Sequence, residues 1–154
     1  MKNKLIFSGI VLGVGLLQVT VLDNFRVLNV KPDLLLIMTV IAGLSFEMTW
    51  VLIFSILAGL FKDLFGTNTF GLNAVFFAVW GYLVFRANKE VNLDYFLIKF
   101  ALMALVALAN SIVNAAALIY FGNAVPFGVM LRGVILNTAY TAAVFPLTYK
   151  IIKS

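Results

Sequence analysis

The sequence predicts an all-α membrane protein, a bundle of six transmembrane helices, and three observations carry that prediction. The 154 residues are 64% hydrophobic and 11% charged, with a mean hydropathy of +1.10, whereas soluble domains hold about 45–50% apolar and about 25% charged residues. The Lys and Arg residues behind the net charge of +5 are scattered, standing mostly at the ends of apolar runs. Flanking positive charge of that kind orients membrane spans and does not form a nucleic-acid patch, so lipid and not nucleic acid is the expected partner of this surface. Lastly, Glu47 divides an apolar run that is too long for one crossing.

The first span is expected over 5–22, uncharged and preceded by Lys2 and Lys4. Its eighteen residues exceed the roughly 7–15 of a signal-peptide core, and no small-x-small cleavage site follows. Gly9-x-x-x-Gly13 would let another helix approach closely.

A polar loop from Asp23 to Asp33 leads into the run Leu34 to Phe61, interrupted only by Glu47. As one helix, that run would reach ~42 Å across a core of about 30 Å. It would also hold a carboxylate near mid-bilayer, at a cost of at least about 2.5–3.5 kcal/mol. Two spans, 30–46 and 48–65, turning near Ser45–Thr49, place Glu47 at an interface and are favoured. The first of these is short unless 30–33 joins it, with Lys31 reaching outward.

The Gly/Asn/Thr segment after Lys62-Asp63 is a turn, and the fourth span follows over 70–86. The charged loop Arg86 to Asp94 comes next, then a fifth span over 95–121 and a sixth over 124–149 after the turn Gly122-Asn123. With both termini inside, Lys2, Lys4, Arg86, Lys89, Lys99, Lys150 and Lys153 face the cytoplasm, against Arg26, Lys31 and Lys62 outside. A five-span chain with an external N-terminus gives the same seven-to-three balance, so charge alone leaves both open and Glu47 decides for six. The chain reads as one integral membrane domain over 1–154.

Arg132 lies well inside the sixth span, where a cation needs a partner or a cavity. Asp63 stands near the same end, so an Arg132–Asp63 pair is expected, with lone snorkelling of Arg132 as the alternative. Asn110 and Asn114 share one face of helix five, and Asn137 and Thr141 one face of helix six. Interhelical hydrogen bonding is the expected role, ahead of a polar ligand cavity.

The chain has no Cys and no His, which removes thiolate chemistry, zinc–thiolate sites and Ser-His-Asp catalysis. No phosphate-binding loop and no paired carboxylates stand ready for acid–base work. No enzyme activity, cofactor or metal is expected, and binding within the membrane is what remains.

Two stretches, Lys31-Pro-Asp-Leu-Leu-Leu-Ile and Gly59-Leu-Phe-Lys-Asp63-Leu-Phe-Gly66-Thr-Asn-Thr-Phe-Gly71-Leu-Asn73, resemble the rod shape-determining protein MreD family. Length, span number and the charged loop after helix four agree with it. The resemblance implies a non-enzymatic scaffold of the bacterial cell-elongation (rod) complex in the inner (cytoplasmic) membrane, supporting cell shape and peptidoglycan synthesis. MreC is the implied partner, with the elongation transpeptidase, RodA and MreB nearby. Pro32, Asp33, Gly59, Asp63, Gly66 and Gly71 carry the pattern, and all are expected at external helix ends. The MreD fold is also similar to the substrate-binding subunits of energy-coupling-factor transporters, which makes vitamin binding the competing function.

Overall fold

In the computed structural model, residues 2–21, 24, 30–65, 70–91 and 93–153 are described, with side chains from residue 4 onward. Among them the chain is all-helical, in six helices: α1 (Lys2–Thr20), α2 (Leu34–Ser45), α3 (Met48–Phe65), α4 (Leu72–Glu90), α5 (Phe96–Tyr120) and α6 (Phe127–Lys153). Helices α3, α5 and α6 are long and apolar enough to cross a membrane; α2 is a shorter apolar helix.

α2 is the centre of the molecule. Its sequence, Leu34-Leu-Leu-Ile-Met-Thr-Val-Ile-Ala-Gly-Leu-Ser45, is apolar on every side, and such a helix must be buried all round. Leu35 to Gly43 are buried without a break, and α2 touches each of the other five helices. Its lone hydroxyl in that stretch, on Thr39, donates back to the Leu35 carbonyl at 3.1 Å and leaves nothing unsatisfied. Helix 30–46, as expected from sequence, starts late. Pro32 disfavours helical geometry at Lys31, and Asp33 takes the N-cap by accepting from the Leu36 N–H. The remaining twelve helical residues reach only ~18 Å. In the same way α6 begins at Phe127 and not at 124, because 123–126 is non-helical and Pro126 supplies a carbonyl to Met130 N–H in the first turn.

The break at Glu47 falls where sequence placed it. Phe46 is extended (φ −121°, ψ 167°), its N–H closes α2 on the Ala42 carbonyl, and Glu47 is exposed before α3 begins. The turn is held from inside by aromatic rings. Phe7 of α1 lies 4.8 Å from both Phe46 and Phe54, and Phe54 lies 5.8 Å from Trp50. Such pairs contribute about 0.5–1.5 kcal/mol each beyond their burial. Lys4 sits 4.8 Å over the Trp50 ring, so cations and aromatics gather at this Glu47 end. Lys99 and Tyr149, hydrogen-bonded at 3.1 Å, join α5 to α6 there.

α3 and α4 approach most closely. A Cβ added at Gly59 would meet the Ala74 N and the Asn73 carbonyl oxygen at 2.6 Å, both backbone atoms that cannot move aside. α1 packs through Phe7, Val11, Gln18 and Gly15, where the Phe61 ring fills the space of the missing side chain. The Gly9-x-x-x-Gly13 face expected to meet another helix meets none among the described residues, since a Cβ at either position finds nothing within 4 Å. That face points away from the bundle because the buried stripe of α1 runs through Phe7, Val11 and Gln18.

α5 and α6 pack on each other and meet the rest chiefly through α2. Met103, Val106, Ala107 and Phe145 are buried at that seam. Beyond it Phe127, Val129, Leu131 and Ile135 of α6 are exposed, a surface suited to an apolar solvent and not to water.

Gly59→Leu is expected to lower the midpoint of thermal unfolding in detergent strongly, overpacking of this kind costing roughly 1–3 kcal/mol or more. Gly13→Ala should leave that midpoint unchanged. Equal effects at the two glycines would contradict the packing described.

Candidate functional site

One end of the bundle, where α2, α4 and α6 start and α3 and α5 finish, holds two buried carboxylates. Asp33 and Asp63 are each 4% exposed. A carboxylate in such surroundings must have its oxygens fully engaged, and both do.

Asp63 serves α4. The N-cap of that helix is Gly71, in a left-handed conformation (φ 96°) that favours glycine and supplies no capping side chain. The first N–H groups of a helix otherwise lack partners. Asp63, eight residues earlier on α3, fills the vacancy. One carboxylate oxygen accepts from the N–H groups of Gly71 (3.0 Å) and Ala74 (3.2 Å). The other accepts from the backbone N–H (3.2 Å) and side-chain amide (2.8 Å) of Asn73. The negative charge also sits against the positive end of the α4 dipole. Gly59, one turn earlier on α3, lets the α4 backbone come near enough for this. Gly66, also part of the pattern, lies outside the described residues.

Asp33 serves α2 and links more helices than Asp63 does, reaching α2, α3 and α6. One oxygen caps the helix through Leu36 N–H at 3.1 Å, while the other pairs with the Lys62 ammonium. Its own N–H donates to the Thr141 hydroxyl at 3.1 Å. Lys62 also lies 5.1 Å from the Phe77 ring centre, a cation–π contact that ties in α4. Since Lys62 and Asp63 are neighbours on α3, the two caps are joined through two consecutive residues. Pro32 is buried beside Asp33, and the Lys31 carbonyl accepts from the Asn137 amide at 3.2 Å.

Further bonds link the remaining helices. Gln18 of α1 accepts from Leu35 N–H at 3.0 Å. Ser111 of α5 donates to Asn137 of α6 at 3.0 Å. Trp80 of α4 donates to Asn110 of α5 at 3.1 Å, so Asn110 is the interhelical bond expected from sequence. Asn114 is not: among the described residues it makes no hydrogen bond, and it lines a cleft of about 310 Å³ between α5, α6 and the Asp33–Lys62 pair. Five polar residues face that cleft, Asp33, Lys62, Ser111, Asn114 and Asn137.

The expected Arg132–Asp63 pair does not form. Every acceptor position of Asp63 described above is taken by α4, and Arg132 is exposed on the outer side of α6. A helix terminus with several N–H donors eight residues away outcompetes a single distant cation. Reading polar positions one by one also missed Lys62 as a site residue. The signal was present: a cation directly beside Asp63 at the end of an apolar run, with Asp33 a further carboxylate on the same side.

No protein-family model matches this chain, and neither the curated proteins nor the solved structures give a significant match.

Removing one partner of a fully buried ion pair costs about 3–5 kcal/mol, more than removing both, and the Lys62 side chain, 24% exposed, brings this pair below that range. Asp33→Asn and Lys62→Met should each destabilise the protein, and the double variant should fall short of their sum, as measured by a double-mutant cycle of unfolding in detergent. Arg132→Leu should leave stability unchanged in the same assay.

Proposed function

We propose that this chain is a membrane-embedded, non-enzymatic scaffold of the bacterial cell-elongation complex, of the MreD kind, with MreC as its closest partner. The carrying observation is the convergence of the residues behind that resemblance. Pro32 and Asp33 are separated from Gly59, Asp63 and Gly71 by more than twenty positions, yet they meet at one end of the bundle through the Asp33–Lys62 pair. Residues that cap helices and set their spacing are what a fold-defining pattern should contain. Chance matches in an apolar sequence have no reason to be joined in space.

The arrangement also favours a crossing by each of the six helices. Lys4, Arg86, Lys89, Lys99, Lys150 and Lys153 all belong to helix ends at the Glu47 side. The opposite side holds fewer cations, one of them neutralised by Asp33. By the positive-inside rule the Glu47 end, with both termini, faces the cytoplasm of the inner membrane. The short α2 is tolerable in such a bundle because it is enclosed by the other helices and is preceded by the non-helical 30–33 segment. The exposed apolar surface of the other helices then meets lipid and partner helices, the medium through which such a protein acts.

A substrate-binding subunit of the energy-coupling-factor kind is the second reading, favoured by the cleft at Asn114 alone.

Co-purification from a native bacterial host tests the first reading: recovery of MreC and of no coupling ATPase is expected. Recovery of such an ATPase with a retained vitamin would overturn it. Topology is checked separately with single cysteines replacing Glu47 and Asn123 in this cysteine-free chain. An impermeant maleimide should label position 123 in intact cells and position 47 only after lysis; the reverse pattern would invert the orientation.

A further inference from the structure

The cleft beside Asp33 and Lys62 holds a whole side-chain amide without a protein partner. Trp80 and Asn110, and Ser111 and Asn137, meet each other across helices, and the buried side-chain atoms left unmet among the described residues are single ones, the Asn73 Oδ1 and the Thr138 hydroxyl. In the cleft, Asn114 stands half-buried on α5 with both its amide donor and its carbonyl acceptor unspent among the described residues. An unmet amide in an apolar helix is costly, and interhelical amides in membranes normally find partners.

The space around Asn114 is shaped as well as empty. Ser111, Asn114, Ala115 and Leu118 form one face of α5, at helical spacings of three and four. Across from it on α6 run Val129, Gly133 and Asn137 at spacings of four. Gly133 makes the room: a Cβ there would meet nothing within 4 Å. The volume of about 310 Å³ lies at the lower end of small-molecule sites, roughly 300–1,000 Å³. One end is polar and the walls, Leu118, Val125, Val129, Met130 and Val134, are apolar.

The charge at the polar end selects the head group. Lys62 is a cation, but its charge is matched by Asp33, so the floor is neutral overall. A carboxylate, phosphate or ammonium brought there would lose its hydration with no net opposite charge in return. A neutral group that both donates and accepts gains from the Asn114 amide and from the ammonium N–H groups that Lys62 does not give to Asp33.

The geometry points to a ligand site between α5 and α6 for a small neutral amphiphile, an amide- or hydroxyl-headed molecule with a short apolar body, whose head bonds Asn114. The site goes beyond the scaffold role and does not depend on MreC.

The test uses the full chain in nanodiscs of zwitterionic lipid, with empty nanodiscs subtracted. Radiolabelled nonanamide is the probe, and nonanoate and nonylamine are its charged counterparts of equal chain length. Nonanamide should bind saturably at one molecule per chain, at least about tenfold tighter than either charged analogue, and raise the unfolding midpoint by roughly 5 °C at saturation. Asn114→Leu, which removes the head contact, and Gly133→Leu, which fills the space, should each weaken binding by about tenfold or more. Neither should alter the unfolding midpoint without ligand, because neither residue supports a contact in the fold. Absence of saturable binding would overturn the site, as expected of a cleft filled with water. Equal binding of nonanoate, or binding untouched by both variants, would overturn it too.

Discussion

Helix N-termini in an apolar bundle present the structure's central difficulty. Each leaves several N–H groups without partners, and where water is scarce every unmet group is costly. Two of these termini, those of α2 and α4, lie together at the Asp33 end, and each is met by a buried carboxylate. Asp63 reaches across from α3 to cap a helix whose own N-cap residue is glycine. Asp33 caps its own helix and is balanced by Lys62, the residue next to Asp63. Capping, charge balance and helix spacing thus act through one short segment of α3. Loss of Lys62 leaves the Asp33 charge unbalanced, loss of Asp63 leaves the α4 start uncapped, and the adjacency of the two on α3 joins these effects at one end.

Much of the remaining architecture follows from that constraint. Fixing the starts of α2 and α4 against the end of α3 sets these three helices side by side, with Gly59 admitting the α4 backbone. The aromatic cluster of Phe7, Phe46 and Phe54 closes the opposite end and carries α1. α5 and α6 are bound to this core less extensively, through single side chains such as Asn110, Thr141 and Asn137. Apolar packing through Met103, Val106, Ala107 and Phe145 joins α5 and α6 to the core over part of their length, and the cleft at Asn114 lies beyond that seam, beside Asp33 and Lys62.

The helices were legible in the sequence because each rests on a local signal. Glu47 marked the α2–α3 turn and Gly122-Asn123 the α5–α6 turn, whereas the start of α2 was set four residues early, before the Pro32-Asp33 cap. Asp63 was legible as a carboxylate in need of a partner at that end of the chain, but not in its role as a cap. A cap delivered from another helix depends on three-dimensional proximity, and no spacing rule encodes it. Arg132 misled for the same reason, since depth along a helix says nothing about which side of it faces outward. Asn110 and Asn114 show the limit most clearly. They are one turn apart on one face, yet the first meets Trp80 while the second lines the cleft beside Asp33 and Lys62.

The central claim is that Asp63 and Asp33 hold the starts of α4 and α2 as one locked end. Backbone amide hydrogen exchange read residue by residue tests it directly. The amides of Gly71, Asn73, Ala74 and Leu36 should be strongly protected although they open their helices, where fraying normally gives rapid exchange. In Lys62→Met, which touches none of these amides, protection at Leu36 should fall through the loss of charge balance on Asp33. Fast exchange at Gly71, Asn73 and Ala74 in the unaltered protein would contradict the account, for those helix starts would then be open to solvent and unlocked.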